Sequence, residues 1–312
     1  MPIFVSRPAR SRRRPVALAV LGVLGVLGVL ALTLGCPAER EAHLPLVVDD
    51  AAIVKHAGGF LFTEGPAVDG EGNVFFSDIP NRRIHRWSVD GEISVFRAAS
   101  GGANGLYFDR DGNLIACEME TRAITSTTPD GRVTILADEY DGKPLNMTND
   151  LWIAPNGGIF FSDPYYGEDA DSLEQGGYHV YYLPPDGSAL VRVIDDLAQP
   201  NGVVGTPDGK TLYVADPGSE KTYAYAIQVD GTLGGRRVAA DAGHDGLTLD
   251  ERGNLYVADG VVKIYSSEGE RISTIETPEA PANLTFGGPD RRTLFITART
   301  GFYSIRMNVR GQ

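Results

Sequence analysis

Six side chains with an oxygen at their tip stand at the head of one recurring pattern: Glu64, Asn104, Asn149, Asn201, Asp245 and Asn283. Each opens a short apolar stretch that passes through a turn rich in Asp, Asn and Gly into a second apolar stretch. The copy at Glu64 runs to Asp78, the copy at Asp245 runs to Asp259, and the copy at Asn283 departs furthest from the pattern. Two carboxylates and four amides, with no Cys or His among them, form a donor set suited to a hard cation such as Ca²⁺, Mg²⁺ or Mn²⁺. A plainer reading stands beside it. Asn and Asp also begin strands because their side chains bond to nearby backbone. That accounts for one copy more readily than for six, and it does not account for Glu64.

For six such positions to meet, the repeats must be arranged around a common axis. Their starts lie 40, 45, 52, 44 and 38 residues apart. A period of roughly 40–50 residues with several short strands per repeat is the signature of a β-propeller. Each copy reads as a hairpin through a Gly-containing turn. Further strand-like runs at Ile84–Trp87, Tyr178–Leu183, Tyr223–Ile227 and Val262–Tyr265 supply the outer part of the blades. No amphipathic helical stretch follows residue 50, which excludes an α/β barrel. The expectation is an all-β, six-bladed β-propeller over residues 51–312, its innermost strands lining a channel. Only one strand's length, Gly301–Val309, follows the sixth hairpin, so Ala52–His56 is the natural donor of the missing strand. Strands from both termini would then close the last blade and hide its edges.

Composition agrees with many turns, at 38 Gly and 19 Pro in 312 residues. A net charge of −13 argues against a nucleic-acid partner, since binding phosphates needs a basic face. Asp78, Asp163, Asp216 and Asp259 recur at the end of the second strand, and that periodicity predicts a structural role. His56, His85 and His179 have no partner at metal-ligand spacing and read as structural or surface groups, and Cys117 as a small buried residue.

The N-terminus reads as an address. Arg7, Arg10, Arg12, Arg13 and Arg14 precede a run from Val16 to Leu34 that carries no charge. Residues 1–35 are therefore expected to be an export signal or membrane anchor, and residues 36–50 a polar tether. Leu34-Gly35-Cys36 resembles the end of a bacterial lipoprotein signal, which would make Cys36 the lipidation site. An uncleaved anchor and a simply cleaved signal are the alternatives. All three place the folded part outside the cytoplasm, in the envelope or periplasm or secreted, touching membrane only through its N-terminus.

Several stretches carry a family resemblance: Thr63-Glu64-Gly65-Pro66, Asn149-Asp150 followed by Phe161-Ser162-Asp163-Pro164, Pro200-Asn201-Gly202 followed by Thr206–Lys210, Asp245-Gly246-Leu247, and Phe286-Gly287-Gly288-Pro289-Asp290. Over about residues 60–308 the chain resembles the senescence-marker-protein/gluconolactonase/luciferin-regenerating-enzyme-like family of six-bladed, calcium-dependent lactonases, relatives of the paraoxonases. The resemblance implies one divalent cation, Ca²⁺ by preference with Mn²⁺, Mg²⁺ or Zn²⁺ as alternatives. It makes Glu64, Asn201 and Asp245 metal ligands, and Asn149 the fourth ligand or a substrate contact. It also makes Asp245 the candidate general base. Asn104 is a further candidate substrate contact, and Asp150 and His244 stand as groups behind the ligands. Two departures matter. Met147 occupies the position where sugar-lactonase members carry an Arg that helps hold the sugar, and His244 stands where Pro is common.

The expected function is metal-dependent hydrolysis of a small lactone or related ester by a monomer or weak oligomer. The cation would polarise the carbonyl while Asp245 serves the attacking water. Tyr165, Tyr166 and the insertion Gly167–Gly177, which explains the 52-residue interval, either shape the pocket or form a solvated loop. The alternative function is a ligand-binding propeller that keeps the metal and lacks turnover.

Overall fold

Three of the hairpins predicted from the repeats owe their tight turns to one device. In the first, Asp69 Oδ1 accepts the amide hydrogens of Glu71 and Asn73, both at 2.9 Å, and Asn73 Nδ2 returns to Asp69 Oδ2 at 2.7 Å. Asp109 with Asn113 and Asp250 with Asn254 repeat it. The Gly before each Asn takes positive φ (93° at Gly72), where a Cβ is disfavoured.

The computed structural model describes residues 45–167 and 173–312. The expected leader, Cys36, the tether as far as residue 44, and residues 168–172 of the insertion lie outside the described residues. Among the described residues there are six four-stranded antiparallel sheets, and the helical piece is a single 3₁₀ turn, Pro217–Ser219. The innermost strands are Thr63–Val68, Ala103–Phe108, Leu151–Ile153, Val203–Gly205, Leu247–Leu249 and Asn283–Gly287. Each touches the innermost strand of the next blade, and the last touches the first, so the ring is closed.

Second strands such as Val74–Asp78 and Ile159–Asp163 are buried along their whole length. They read as apolar runs because both faces of a blade meet neighbouring blades. Six apolar clusters result, one at each seam between adjacent blades. The first and last blades meet through Phe76 and Phe302, stacked with centroids 4.3 Å apart and both fully buried.

The last blade closes as expected, two residues further along. Val54–Gly58, rather than Ala52–His56, pairs antiparallel with Gly301–Arg306, with Val54 opposite Ser304 and Gly58 opposite Gly301. Beyond it the C-terminal residues cross to the fifth blade, where Gln312 Nε2 donates to the Asp250 carbonyl at 2.7 Å.

Candidate active site

The head residues lie at or just ahead of the start of the innermost strands, which brings all six to the same end of the ring. Two features of the chain hold them there. The first is the recurring acid at the end of the second strand, which in four blades binds the backbone leading into the head residue. Asp78 Oδ1 accepts from Leu61 and Phe62 ahead of Glu64, and Asp163 Oδ2 from Asn146 ahead of Asn149. Asp216 accepts from Ala198 and Gln199 ahead of Asn201, and Asp259 from Gly243 ahead of Asp245. In the second blade Glu118 instead pairs with Arg97 at 2.8 Å and accepts from Thr125.

The second feature is the Gly that follows the head residue. A Cβ on Gly65 would lie 1.9 Å from the Asn104 carbonyl oxygen, and one on Gly202 would lie 2.5 Å from the Asp245 carbonyl oxygen. These glycines let neighbouring backbones meet at the axis, where the ring is narrowest. In the third blade the same position holds Asp150, whose carboxylate fills the space a neighbouring side chain would take.

Glu64, Asn201 and Asp245 come together as the sequence leads one to expect. Glu64 is buried, Asp245 is half-buried, and the two carboxylates are within hydrogen-bonding reach of each other. Burial raises the Glu64 carboxyl above its ordinary range, opposed by the Gly65 amide at 2.6 Å. Asp245 is raised further, first by burial and then by the negative charge of Glu64. The Asn201 side chain reaches Asp245, yet its buried Oδ1 has no hydrogen-bond partner. Its Nδ2 donates to the Tyr166 hydroxyl at 2.9 Å, and Asn149 Nδ2 approaches the same oxygen at 3.4 Å.

The other candidates are placed differently. Asp150 Oδ2 accepts the Val203 amide and Oδ1 the Leu151 amide, each at 3.0 Å. Burial raises its pKa to about 7, and the Glu64 charge adds to this. It supports the junction of two blades beneath the carboxylate pair. Asn104 is buried, with its Nδ2 turned to the Met119 sulfur at 3.4 Å. His244 is exposed. Asn283, in the least regular repeat, lies within hydrogen-bonding reach of both Glu64 and Asp150. Its Oδ1 is occupied by the Leu284 amide at 2.8 Å, so it faces those acids with its NH₂ group. Tyr166 was legible only as part of an insertion of undecided role, and no sequence spacing announces that its hydroxyl reaches the axis.

A cavity of about 1040 Å³ opens at the opposite, hairpin-turn end of the channel and reaches Asp150 and Asn283 but not Glu64, Asn201 or Asp245. Those two residues form the floor between it and the carboxylate pair. Two carboxylates and an unpaired amide oxygen converge at the other end, which makes that end the candidate site.

Fold and site together define a class: a six-bladed propeller with two carboxylates and two amides gathered at one mouth of its axis. Residues 62–300 match the SMP-30/Gluconolactonase/LRE-like region, and the chain belongs to that family. A gluconolactonase of Zymomonas mobilis is 30% identical over 289 residues, spanning 82% of this chain and 81% of the relative. The lactonase drp35 of Staphylococcus saprophyticus is 28% identical, spanning 67% of this chain and 80% of its own. Among solved structures, a gluconolactonase from Xanthomonas campestris superposes with a TM-score of 0.78 at 34% identity, covering 84% of this chain and 91% of that one.

Proposed function

We propose that this protein hydrolyses a small lactone, with Glu64, Asn149, Asn201 and Asp245 holding one divalent cation. The observation that carries the reading is the buried Asn201 Oδ1, left without a partner beside two carboxylates whose ionised forms repel one another. A cation answers both: it gives the amide oxygen a partner and lets both acids ionise. All four donors are oxygens, which suits Ca²⁺ first and Mn²⁺ or Mg²⁺ next, with Zn²⁺ as a further candidate. The names of the relatives support a lactone as substrate.

When bound, such a cation supplies Lewis acidity to the lactone carbonyl. The remaining work falls to side chains. Asp245, half-buried and within reach of solvent, takes a proton from the attacking water as its oxygen bonds to the carbonyl carbon. The ring C–O bond then breaks, and the proton passes to the departing alkoxide, giving a hydroxy acid. Glu64, buried and held by the Gly65 amide, stays fixed as a ligand. Met147, whose sulfur accepts the Tyr166 amide at 3.4 Å, brings no charge to the mouth, which favours less hydrophilic lactones than an aldonolactone. The Arg-rich start and uncharged run of residues 16–34 support an exported protein tethered at its N-terminus.

The test is metal stripping followed by assay on a panel of aldono- and alkyl-lactones with Ca²⁺, Mn²⁺, Mg²⁺ or Zn²⁺ restored. Cation-dependent turnover of at least one lactone is expected. Tight cation binding without turnover on any of them would instead support the binding-module reading, which the loss of Arg at residue 147 favours.

A further inference from the structure

We infer that Tyr166 is a positioning residue: its phenol oxygen orients the amides of Asn201 and Asn149 so that their carbonyl oxygens face the cation. The inference rests on the cation reading above and adds a group to it. Tyr166 Oη lies 2.9 Å from Asn201 Nδ2 and 3.4 Å from Asn149 Nδ2. A phenol has two lone-pair positions and one proton. It can therefore accept from two amide NH₂ groups at once, but it can donate to only one amide oxygen. Turning both amides over would set one lone pair against another. The arrangement that satisfies all three groups sends both amide oxygens away from Tyr166. For Asn201 that oxygen is the buried one without a partner.

The chain is built to hold the phenol in place. Asp163 and Gly177, at the two ends of the insertion, are both tied to Asn146, whose Nδ2 donates to each carbonyl at 3.0 Å. The Met147 amide donates to the Pro164 carbonyl at 3.0 Å, and the Tyr166 amide returns to the Met147 sulfur. The stem of the insertion is thus fastened to the same segment that carries Asn149. With its lone pairs taken by amides, the phenol has only its proton to offer at the mouth. The complementary substrate group is an acceptor oxygen, such as a lactone carbonyl or ring oxygen. Tyr166 as a whole residue is 42% exposed.

The experiment is a double-mutant cycle read by calorimetric titration of the metal-stripped protein with Ca²⁺, Tyr166→Phe against Asn201→Asp. Tyr166→Phe keeps the exposed ring and removes the oxygen, and equal melting temperatures confirm that each variant is folded. Ca²⁺ affinity is expected to fall about tenfold in Tyr166→Phe, the scale of one to two lost hydrogen bonds. A carboxylate has two equivalent oxygens and needs no orienting, so in the Asn201→Asp background only the longer Asn149 contact remains to be lost, and the same change is expected to cost no more than about threefold. Unchanged affinity in Tyr166→Phe, or an equal loss in both backgrounds, overturns the inference and leaves the cation reading standing. If the wild-type protein binds none of Ca²⁺, Mn²⁺, Mg²⁺ or Zn²⁺, the cation reading falls and the inference falls with it. That outcome is visible before any substitution is made.

Discussion

Glu64 and Asp245 are chemically alike but sit in different surroundings, and their substitutions should separate. Glu64 is 3% exposed and held by a backbone amide, whereas Asp245 is half-buried and open to solvent. Glu64→Gln should act through cation affinity, so that activity lost at low Ca²⁺ returns when the ion is in excess. Asp245→Asn should lower kcat about a thousandfold, with no rescue by added Ca²⁺. Activity measured across a Ca²⁺ series distinguishes the two, and equal rescue of both would remove Asp245 from the role of base. At this scale the sequence is a good guide to which side chains meet and a poor one to where their ends point. Glu64, Asn201 and Asp245 share a phase in the repeat and converge accordingly. Asn104 shares it too, yet its amide turns to Met119, because amide orientation depends on partners brought in by other blades. Asn283 looked marginal because its repeat is irregular. Its strand is still held in phase, with the Thr297 hydroxyl donating to the Asn283 carbonyl at 3.1 Å.

Within each blade, the second strand does more than fill the core. In four blades its terminal acid was legible as a periodic structural group, and the structure adds what it holds: the segment that delivers the head residue. Asp216, 2% exposed, accepts two backbone hydrogen bonds ahead of Asn201. Asp216→Ala should destabilise the fold by about 3 kcal/mol, because two amides lose a charged acceptor in a buried place. It should also weaken Ca²⁺ binding by letting Asn201 move. Denaturant unfolding and calorimetry read the two effects, and unchanged Ca²⁺ affinity would confine Asp216 to folding. The outermost strands were the least legible elements. Val133–Ala137 is exposed at almost every residue, although it carries Val, Ile and Leu. With neither face buried there is no alternation to read. The Asn-Gly and Asp-Gly pairs were legible as strand starts, but their reason was not. The reason is the approach of the next blade, which no single repeat contains.

For the ring as a whole, stability is distributed over its seams. Phe76→Ala should cost about 3–5 kcal/mol, the usual range for emptying a buried aromatic site, and should loosen the junction of the first and last blades. Denaturant unfolding measures it, and a loss below about 1 kcal/mol would mean that the seam repacks. The same region gives the fold a pH dependence. His56 stacks near Trp87 and Phe295, and His85 lies between Phe60 and Phe76. Burial lowers the pKa of both, and of His179, from the ordinary 6.5. The unfolded chain then binds more protons than the native one as pH falls through that value. Their contribution is therefore full above about pH 6.5 and lost progressively below it, while buried Asp150 and Asp163, raised to about 7, bind protons in the native state and work in the opposite sense. His85→Phe should therefore lose less melting temperature, or gain more, than the wild type between about pH 7.5 and 5.5, and parallel profiles would remove His85 from the pH dependence. The closing pair of strands also carries a consequence for folding. Val54–Gly58 and its partner Gly301–Arg306 are separated in sequence by five whole blades. Those five blades pair strands that are neighbours in sequence, whereas the first strand finds its partner only across all of them. Until that pair forms the folding chain is an open arc, and with it the arc becomes a circle.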